Sequence, residues 1–298
     1  MKKTILLLLL CAFAIQANAQ RTRTLPETVL DQATVSVYYR FTQQATIGAT
    51  TVLMTDTTVL RIGNIYSVYF NRSSALRDST FAATMQSIDP NRIQNVTVVR
   101  DFSADTESFF NNIGAGLDFA QQPNPESINI FKNRQTGTIT SIDGNPNPGL
   151  GGGNEMFLVE EAIPPMEWEI FSDTTMTILN YLCFKATTTF RGRNYIAWFT
   201  MDIPINEGPW KIYGLPGLIL RLEDEDGLFV HEAVGLVSHA PKPILINANT
   251  YTIATNEQLQ RWQENRRNAT MRVGFSRGQM LVASRRNELS FHRREIEN

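Results

Sequence analysis

The side chains in this sequence that could act on a substrate or hold an ion are few and scattered. It has three histidines, His231, His239 and His292. Zinc and related metals need clustered His, Cys and carboxylate ligands at short spacings, and no two of these histidines are spaced that way. Of the two cysteines, Cys11 and Cys183, the second stands in Tyr181-Leu182-Cys183-Phe184. Such an apolar setting raises a thiol's pKa and suppresses the thiolate, so an inert buried thiol is expected. Carboxylates pair at Glu160-Glu161 and at Glu167/Glu169, a pattern that glycoside hydrolysis can use when the two acids face each other across a cleft. The acidic run Glu223-Asp224-Glu225-Asp226-Gly227 has Leu222 where an EF-type calcium loop needs its first acid. It reads instead as a solvated hairpin turn at Asp226-Gly227, between strands over Leu218–Glu223 and Leu228–Leu236. No G-x-S-x-G, P-loop or Rossmann string occurs. No catalytic residue, metal site or cofactor is therefore assigned. A non-enzymatic binding or accessory role is favoured, with a carboxylate-based hydrolase as the alternative.

Large apolar side chains concentrate between 198 and 220. Leu215-Pro216-Gly217-Leu218 fits a type II turn, with Pro second and Gly217 third at positive φ, and Gly214 allows close backbone approach just before it. Unlike most turns, this one is apolar. Either it folds inward and plugs one end of the core, or it forms the lip of a pocket or docking patch. The binding candidates on the second reading are Trp198, Trp210, Tyr213, Leu215 and Leu218. Arg193, in Arg191-Gly192-Arg193, joins them as a cation placed to lie on an aromatic face or to pair with a buried acid. Gly214, Pro216 and Gly217 are the structural turn.

Strands must position these groups. From Thr34 to Phe41, Val35, Val37, Tyr39 and Phe41 alternate with more polar residues, the period-two signal of a strand. Thr51–Met54, Thr58–Ile62 and Ile65–Phe70 continue it, the last two joined by a tight turn at Gly63-Asn64. Ile128–Lys132 and Thr138–Ile142 read as a hairpin. Short helices are expected over 80–87 and along Phe109, Ile113 and Leu117. A further polar helix runs near 256–268, opened by a capping box at Thr255 and Gln258. Residues 143–154 are rich in Gly, Pro and Asn and read as a mobile loop. The expected fold is mainly β (α+β): a single domain over 33–298 on a curved antiparallel sheet with short helices. An open half-barrel is one form of it, a two-sheet sandwich the other.

The chain opens with Met1-Lys2-Lys3, an apolar run from Ile5 to Ile15 and Ala17-Asn18-Ala19, the three parts of a cleavable signal peptide over 1–19. Residues 20–32 read as a loose leader. Removing Lys2 and Lys3 takes the 27 basic side chains to 25 against 29 acidic, a net charge of −4. Neither nucleic acid nor an anionic membrane surface is implied by that balance. No later apolar run reaches the roughly 20 residues a membrane helix needs. Export to the periplasm or the outer membrane, or secretion, is expected. The implied partner is an envelope protein or an apolar or peptide ligand.

The ordered motifs over 166–236 carry a resemblance. Cys183-Phe184-Lys185-Ala186, Phe190-Arg191-Gly192-Arg193, Ala197-Trp198-Phe199, Gly208-Pro209-Trp210 and the unbroken hexapeptide at 214–219 resemble the GLPGLI family of bacterial envelope proteins. Asp56, Leu60, Ile62-Gly63, Ser67 and Phe70 resemble that family's opening block. Resemblance covers most of residues 33–236. Members often end in an Asn-Pro-Ile-Glu-like sequence, and here Arg294-Glu295-Ile296-Glu297 lacks the proline. The resemblance implies export and a β-rich domain, with no established activity and no catalytic residues to carry over.

Overall fold

Alternation of β-branched and aromatic residues with short polar ones carries most of the chain into strands. The computed structural model describes residues 21–47, 49–75, 95–100, 117–118, 128–145, 155–162, 165–267, 269–276, 279–286, 289–291 and 295. In chain order the strands are β1 (Thr22–Leu25), β2 (Thr28–Ile47), β3 (Thr50–Ile62), β4 (Tyr66–Asn71), β5 (Asn95–Arg100) and β6 (Leu117–Asp118). Then come β7 (Asn129–Asn133), β8 (Thr138–Asn145), β9 (Glu155–Ala162), β10 (Glu169–Ile178), β11 (Tyr181–Phe190) and β12 (Arg193–Thr200). The last six are β13 (Leu218–Asp224), β14 (Phe229–Ile246), β15 (Asn249–Ile253), β16 (Ala269–Ser276), β17 (Gln279–Arg286) and β18 (Leu289–Phe291). The helix α1 (Asn256–Arg267) lies between β15 and β16.

One open sheet runs β1-β15-β9-β8-β7-β4-β3-β2-β14-β13-β12-β11-β10, and β18 adds to the far end of β2. Its pairings are antiparallel except β15 with β9. The mainly β, open-sheet expectation therefore holds. A second sheet has the order β5-β17-β16-β6. Expected helices over 80–87 and 109–117 fall outside the described residues, apart from Leu117, which is in β6. So do residues 1–20 and most of the 143–154 loop. Asp143 belongs to β8, where it is buried and accepts a hydrogen bond from Gln263 Nε2 of α1 at 2.8 Å. The 20–32 leader is also corrected, since β1 pairs with β15 and β2 already begins at Thr28. Its residues read as loose because β1 lies at a solvated sheet edge with Thr22, Arg23 and Thr24 all exposed. Backbone pairing, not burial, holds it there.

Register explains the core. Val37, Leu60, Tyr69 and Ile130 are partners in one row across β2, β3, β4 and β7, and all four are fully buried. A second row, Phe41, His231, Leu222, Ala197 and Ala186, crosses β2, β14, β13, β12 and β11 on the same face. Burying each large side chain in these rows stabilises the fold by about 1.5–3 kcal/mol before entropy is counted. Around β4, β7 and β9 the other face is also covered: Val68, Phe131, Leu158, Ile244 and Tyr251 form a second cluster. The helix docks by Leu259, which is buried, and by Trp262, whose ring lies 5.4 Å from that of Phe157. Its capping box is formed: Gln258 N donates to Thr255 Oγ1 at 3.2 Å and Thr255 N to Gln258 Oε1 at 2.9 Å.

The turns follow their residues. Leu179-Asn180 and Arg191-Gly192 both have positive φ, at 50° and 67° and at 52° and 75°, the signature of two-residue type I′ hairpins. Gly227, at +66°, closes the β13–β14 turn, as the Asp226-Gly227 pair predicts. At the β3–β4 turn, Asp31 accepts the backbone N–H groups of Ile65 (2.7 Å) and Tyr66 (2.9 Å). A Cβ on Gly63 would meet Asp31 Oδ2 at 2.5 Å, so the glycine makes room for that carboxylate. Desolvation pushes the Asp31 pKa up, but the backbone N–H groups of Tyr66, Ile65, Gln32 and Asn64 outweigh it and hold the carboxyl below its usual value. A folded-state pKa below the unfolded one gives stability above about pH 3.8 that is lost as pH falls through the folded value. Asp31→Asn is therefore expected to lower the urea midpoint at pH 7, by about 1–3 kcal/mol. The gap to the wild type should close in the same titration below pH 3.8.

Candidate functional site

Residues 201–217, between β12 and β13, fold against the inner face of the sheet. The segment is bonded to itself and to β13: Leu218 N donates to Ile203 O at 3.0 Å, Ile219 N to Glu207 O at 2.9 Å, and Gly214 N to Asn206 Oδ1 at 2.6 Å. Trp210 enters the core at 4% exposure, in the left-handed region at φ 57°. Its ring meets Phe190 at 5.7 Å and Tyr195 at 6.1 Å between centroids. Leu215 and Leu218 are buried as well. The enclosed space beside Trp210, lined also by Tyr195, Leu222, Phe229 and His231, is about 10 Å³, room for one water at most. This is the inward-folded plug rather than an open apolar lip.

The turn chemistry differs from the type II expectation. Gly217 is not at positive φ; Gly214 is, at +105°. A Cβ on Gly217 would lie 2.0 Å from Thr200 O, so this glycine serves close approach of two backbones. Proline before glycine suits both uses, and sequence alone does not separate them.

Two buried lysines fasten the plug. Lys132 Nζ of β7 reaches Glu207 Oε2 at 2.5 Å and donates to Gly208 O at 2.7 Å. Glu207, at 1% exposure, also accepts from Ser67 Oγ at 2.7 Å. Burial pushes the Lys132 ammonium below its usual pKa, and Glu207 works against that shift. Burial, with the Glu207 charge added, holds the Tyr39 phenol well above its usual range; its hydroxyl donates to Ile219 O at 2.7 Å. On the other side Lys211 Nζ, within the plug, reaches Glu161 Oε1 and Glu295 Oε1, both at 2.6 Å. Glu161 is paired with Arg191 as well. Lys132 had a sequence signal: it continues the inward alternation Ile128, Ile130, a place where a lysine needs a partner. Glu207 and Lys211 had none.

Arg193 does both things its position suggested. Its guanidinium lies 3.3 Å from Asp224 Oδ2 and 5.3 Å from the Phe229 ring centroid. Asp224 is not a solvated turn acid: it is 2% exposed and accepts from Phe229 N at 2.8 Å. Burial raises its pKa, against the bond from Phe229 and the charge of Arg193. Cys183 is a buried free thiol, pushed up to about 11 chiefly by burial. His231 is buried and stacked on Phe41 at 4.5 Å.

The outer face of β10–β13 is different. By strand alternation it carries Glu169, Lys185, Thr187, Thr189, Asn194, Ile196 and Trp198, whose register neighbours face the same way. An open trough of about 620 Å³ lies here, lined by Glu167, Glu169, Lys185, Thr187, Thr189, Asn194, Ile196 and Glu225 and bordered by Trp168, Thr188 and Tyr195. Its rim is braced from behind. Thr188 Oγ1 donates to Glu167 O at 2.7 Å, and Trp168 Nε1 donates to Tyr213 O of the plug at 3.0 Å. Inside it, Thr189 Oγ1 donates to Asn194 Oδ1 at 2.8 Å and Asn194 Nδ2 to Glu225 Oε2 at 2.9 Å. Half-buried Trp198 stands next to Lys185 and Arg221 in the register. Trp198 is thus on the opposite face from Trp210, Leu215 and Leu218, and half-buried Tyr213 meets the trough's edge through Trp168, whose Nε1 donates to its carbonyl. Glu167, Glu169 and Glu225 share the trough. Glu160 instead pairs with Arg23 at the surface, and Glu161 belongs to the Lys211 cluster.

A family model described as a protein of unknown function, Porph_ging, matches residues 188–221. That stretch contains Thr189 and Asn194 of the trough, the Arg193 pair, Lys211 and the turn at 214–219. No curated protein matches. Two crystal forms of PNGF-II are similar at 15% identity, each covering 80% of this chain and 35% of the other, with TM-scores of 0.44 and 0.42. The chain spans about a third of the length of those structures.

Proposed function

We propose that this chain is an exported, non-enzymatic binding or accessory protein of the bacterial envelope, and that its ligand or partner segment seats in the outer trough. The observation that carries this reading is the open volume of about 620 Å³ on the outer strand surface, within the range typical of ligand sites. Its lining offers hydroxyls, an amide and charges of both signs, and has no histidine or cysteine to act as base or nucleophile. Export rests on the Lys2-Lys3, apolar and Ala17-Asn18-Ala19 grammar. Among the described residues no helix is long and apolar enough to cross a membrane.

A carboxylate-based hydrolase is the second reading, because Glu167, Glu169 and Glu225 line one trough. Native mass spectrometry of the chain purified from envelope extract separates the two. On the binding reading a co-purifying adduct appears. It falls at least about tenfold in a Lys185→Ala, Thr187→Ala, Asn194→Ala variant, a loss of about 1.4 kcal/mol or more. It persists in Leu53→Ala, an exposed position on β3. Replacing the three glutamates by glutamine weakens the adduct if the acids only bind, and traps more of it if they cleave. No adduct on the wild type, or one indifferent to the trough variant, counts against the site.

A further inference from the structure

We propose that Lys211, Asn256 and Gln260 form a carboxylate-binding pocket whose tethered ligand is the chain's own C-terminal Glu295. Both oxygens of Glu295 are held. Oε1 lies 2.6 Å from Lys211 Nζ, and Oε2 accepts from Gln260 Nε2 at 3.3 Å. Lys211 Nζ also donates to Asn256 Oδ1 at 3.2 Å. The Lys211 and Glu295 side chains are only 3% and 5% exposed, so the contact is a built, desolvated one, unlike a surface ion pair. The two residues are 84 positions apart. The lysine comes from the plug and the amides from α1, so the carboxylate joins parts of the chain that share no strand pairing.

The charges leave this position for an anion. Around Lys211, Glu161 is already engaged by Arg191 and by Asn256 Nδ2, the latter at 2.6 Å. Among the described residues, two cations, Lys211 and Arg191, share the one carboxylate of Glu161 apart from Glu295. Glu295 supplies the second. Tethering raises the local concentration of that carboxylate far above that of any free anion, so a pocket of modest intrinsic affinity stays filled. With Glu295 seated, its carboxylate ties the plug, through Lys211, to α1, through Gln260; without it, Lys211 and Gln260 present a cationic pocket fitted to a carboxylate.

The test uses the full chain with Glu295→Ala, and with Glu295→Ser, which also vacates the site, in case the first does not fold. Thermal midpoints are measured in sodium acetate and in sodium chloride at equal ionic strength. Acetate is expected to raise the midpoint of the variant and leave the wild type unmoved, because a ligand stabilises only a protein with a vacant site for it. A peptide of the chain's last five residues, Arg294 to Asn298, is expected to bind the variant and not the wild type. Its affinity should fall at least about tenfold, or about 1.4 kcal/mol, when the glutamate matching Glu295 is replaced by glutamine. Equal effects of acetate on both proteins, or a peptide indifferent to that replacement, overturn the proposal.

Discussion

Lys132→Met is expected to lower folding stability by about 3–5 kcal/mol, read as a fall in urea midpoint with an unchanged slope. Methionine matches the lysine stem in length and polarisable bulk, so little packing is lost. What remains is Glu207, 1% exposed, with its carboxylate facing Ser67 and a distant Arg134 at 4.0 Å. A charge left without its partner in that setting costs far more than the intact pair contributed. The Gly208 carbonyl, which accepts from Lys132 Nζ, loses its donor in the same change. Adding Glu207→Gln should recover much of the loss, because a neutral amide can still accept from Ser67 Oγ and no buried charge survives. If the single variant loses under about 1 kcal/mol, water must reach the pair, and the plug is not closed as described.

That pair also marks where sequence stops being informative. Strand alternation reports which side of a sheet a residue faces, and it set Val37, Tyr39 and Phe41 on one face, which the structure buries. Followed along Ile128 and Ile130, the same alternation reaches Lys132 but names no partner for it, because Glu207 sits in an irregular segment with no period to read. The hairpin at Asp226-Gly227 was legible because the positive φ at Gly227 restricts which residues can occupy it. The edge strand β1 was not, since hydrogen bonding to β15 leaves no trace in side-chain type. The trough was the least legible feature. Its lining comes from mostly polar and charged residues on β10, β11, β12, the approach to β10 and the β13–β14 turn, which strand pairing brings together. Taken singly, its threonines and Asn194 read as ordinary solvated positions, and the Glu167/Glu169 pair and Glu225 read as separate acids with no shared cleft.

Gly217→Ala is expected to be nearly as damaging as the loss of a buried charge partner, costing about 3 kcal/mol or more, at the upper end of what overpacking does. The added methyl would lie 2.0 Å from Thr200 O, 2.7 Å from Thr200 C and 3.2 Å from Met201 Cα, and all three are backbone atoms. No rotamer change relieves a clash with backbone; the start of β13 must move away from the end of β12. There Thr200 is paired with Leu218 and Phe199 with Ile219, so the movement breaks strand pairing beside the plug. Asparagine separates this cause from a turn requirement. At a position needing positive φ, asparagine is tolerated better than alanine. Gly227, at +66° with open space around it, is such a position, and Gly227→Asn should cost less than Gly227→Ala, itself about 1 kcal/mol. At Gly217 the two substitutions should be equally harmful, since both carry the same Cβ. A urea series of the four variants decides it. If Gly217→Asn is clearly milder than Gly217→Ala, the hexapeptide is a left-handed turn after all, and the backbone approach to Thr200 is not what fixes a glycine there.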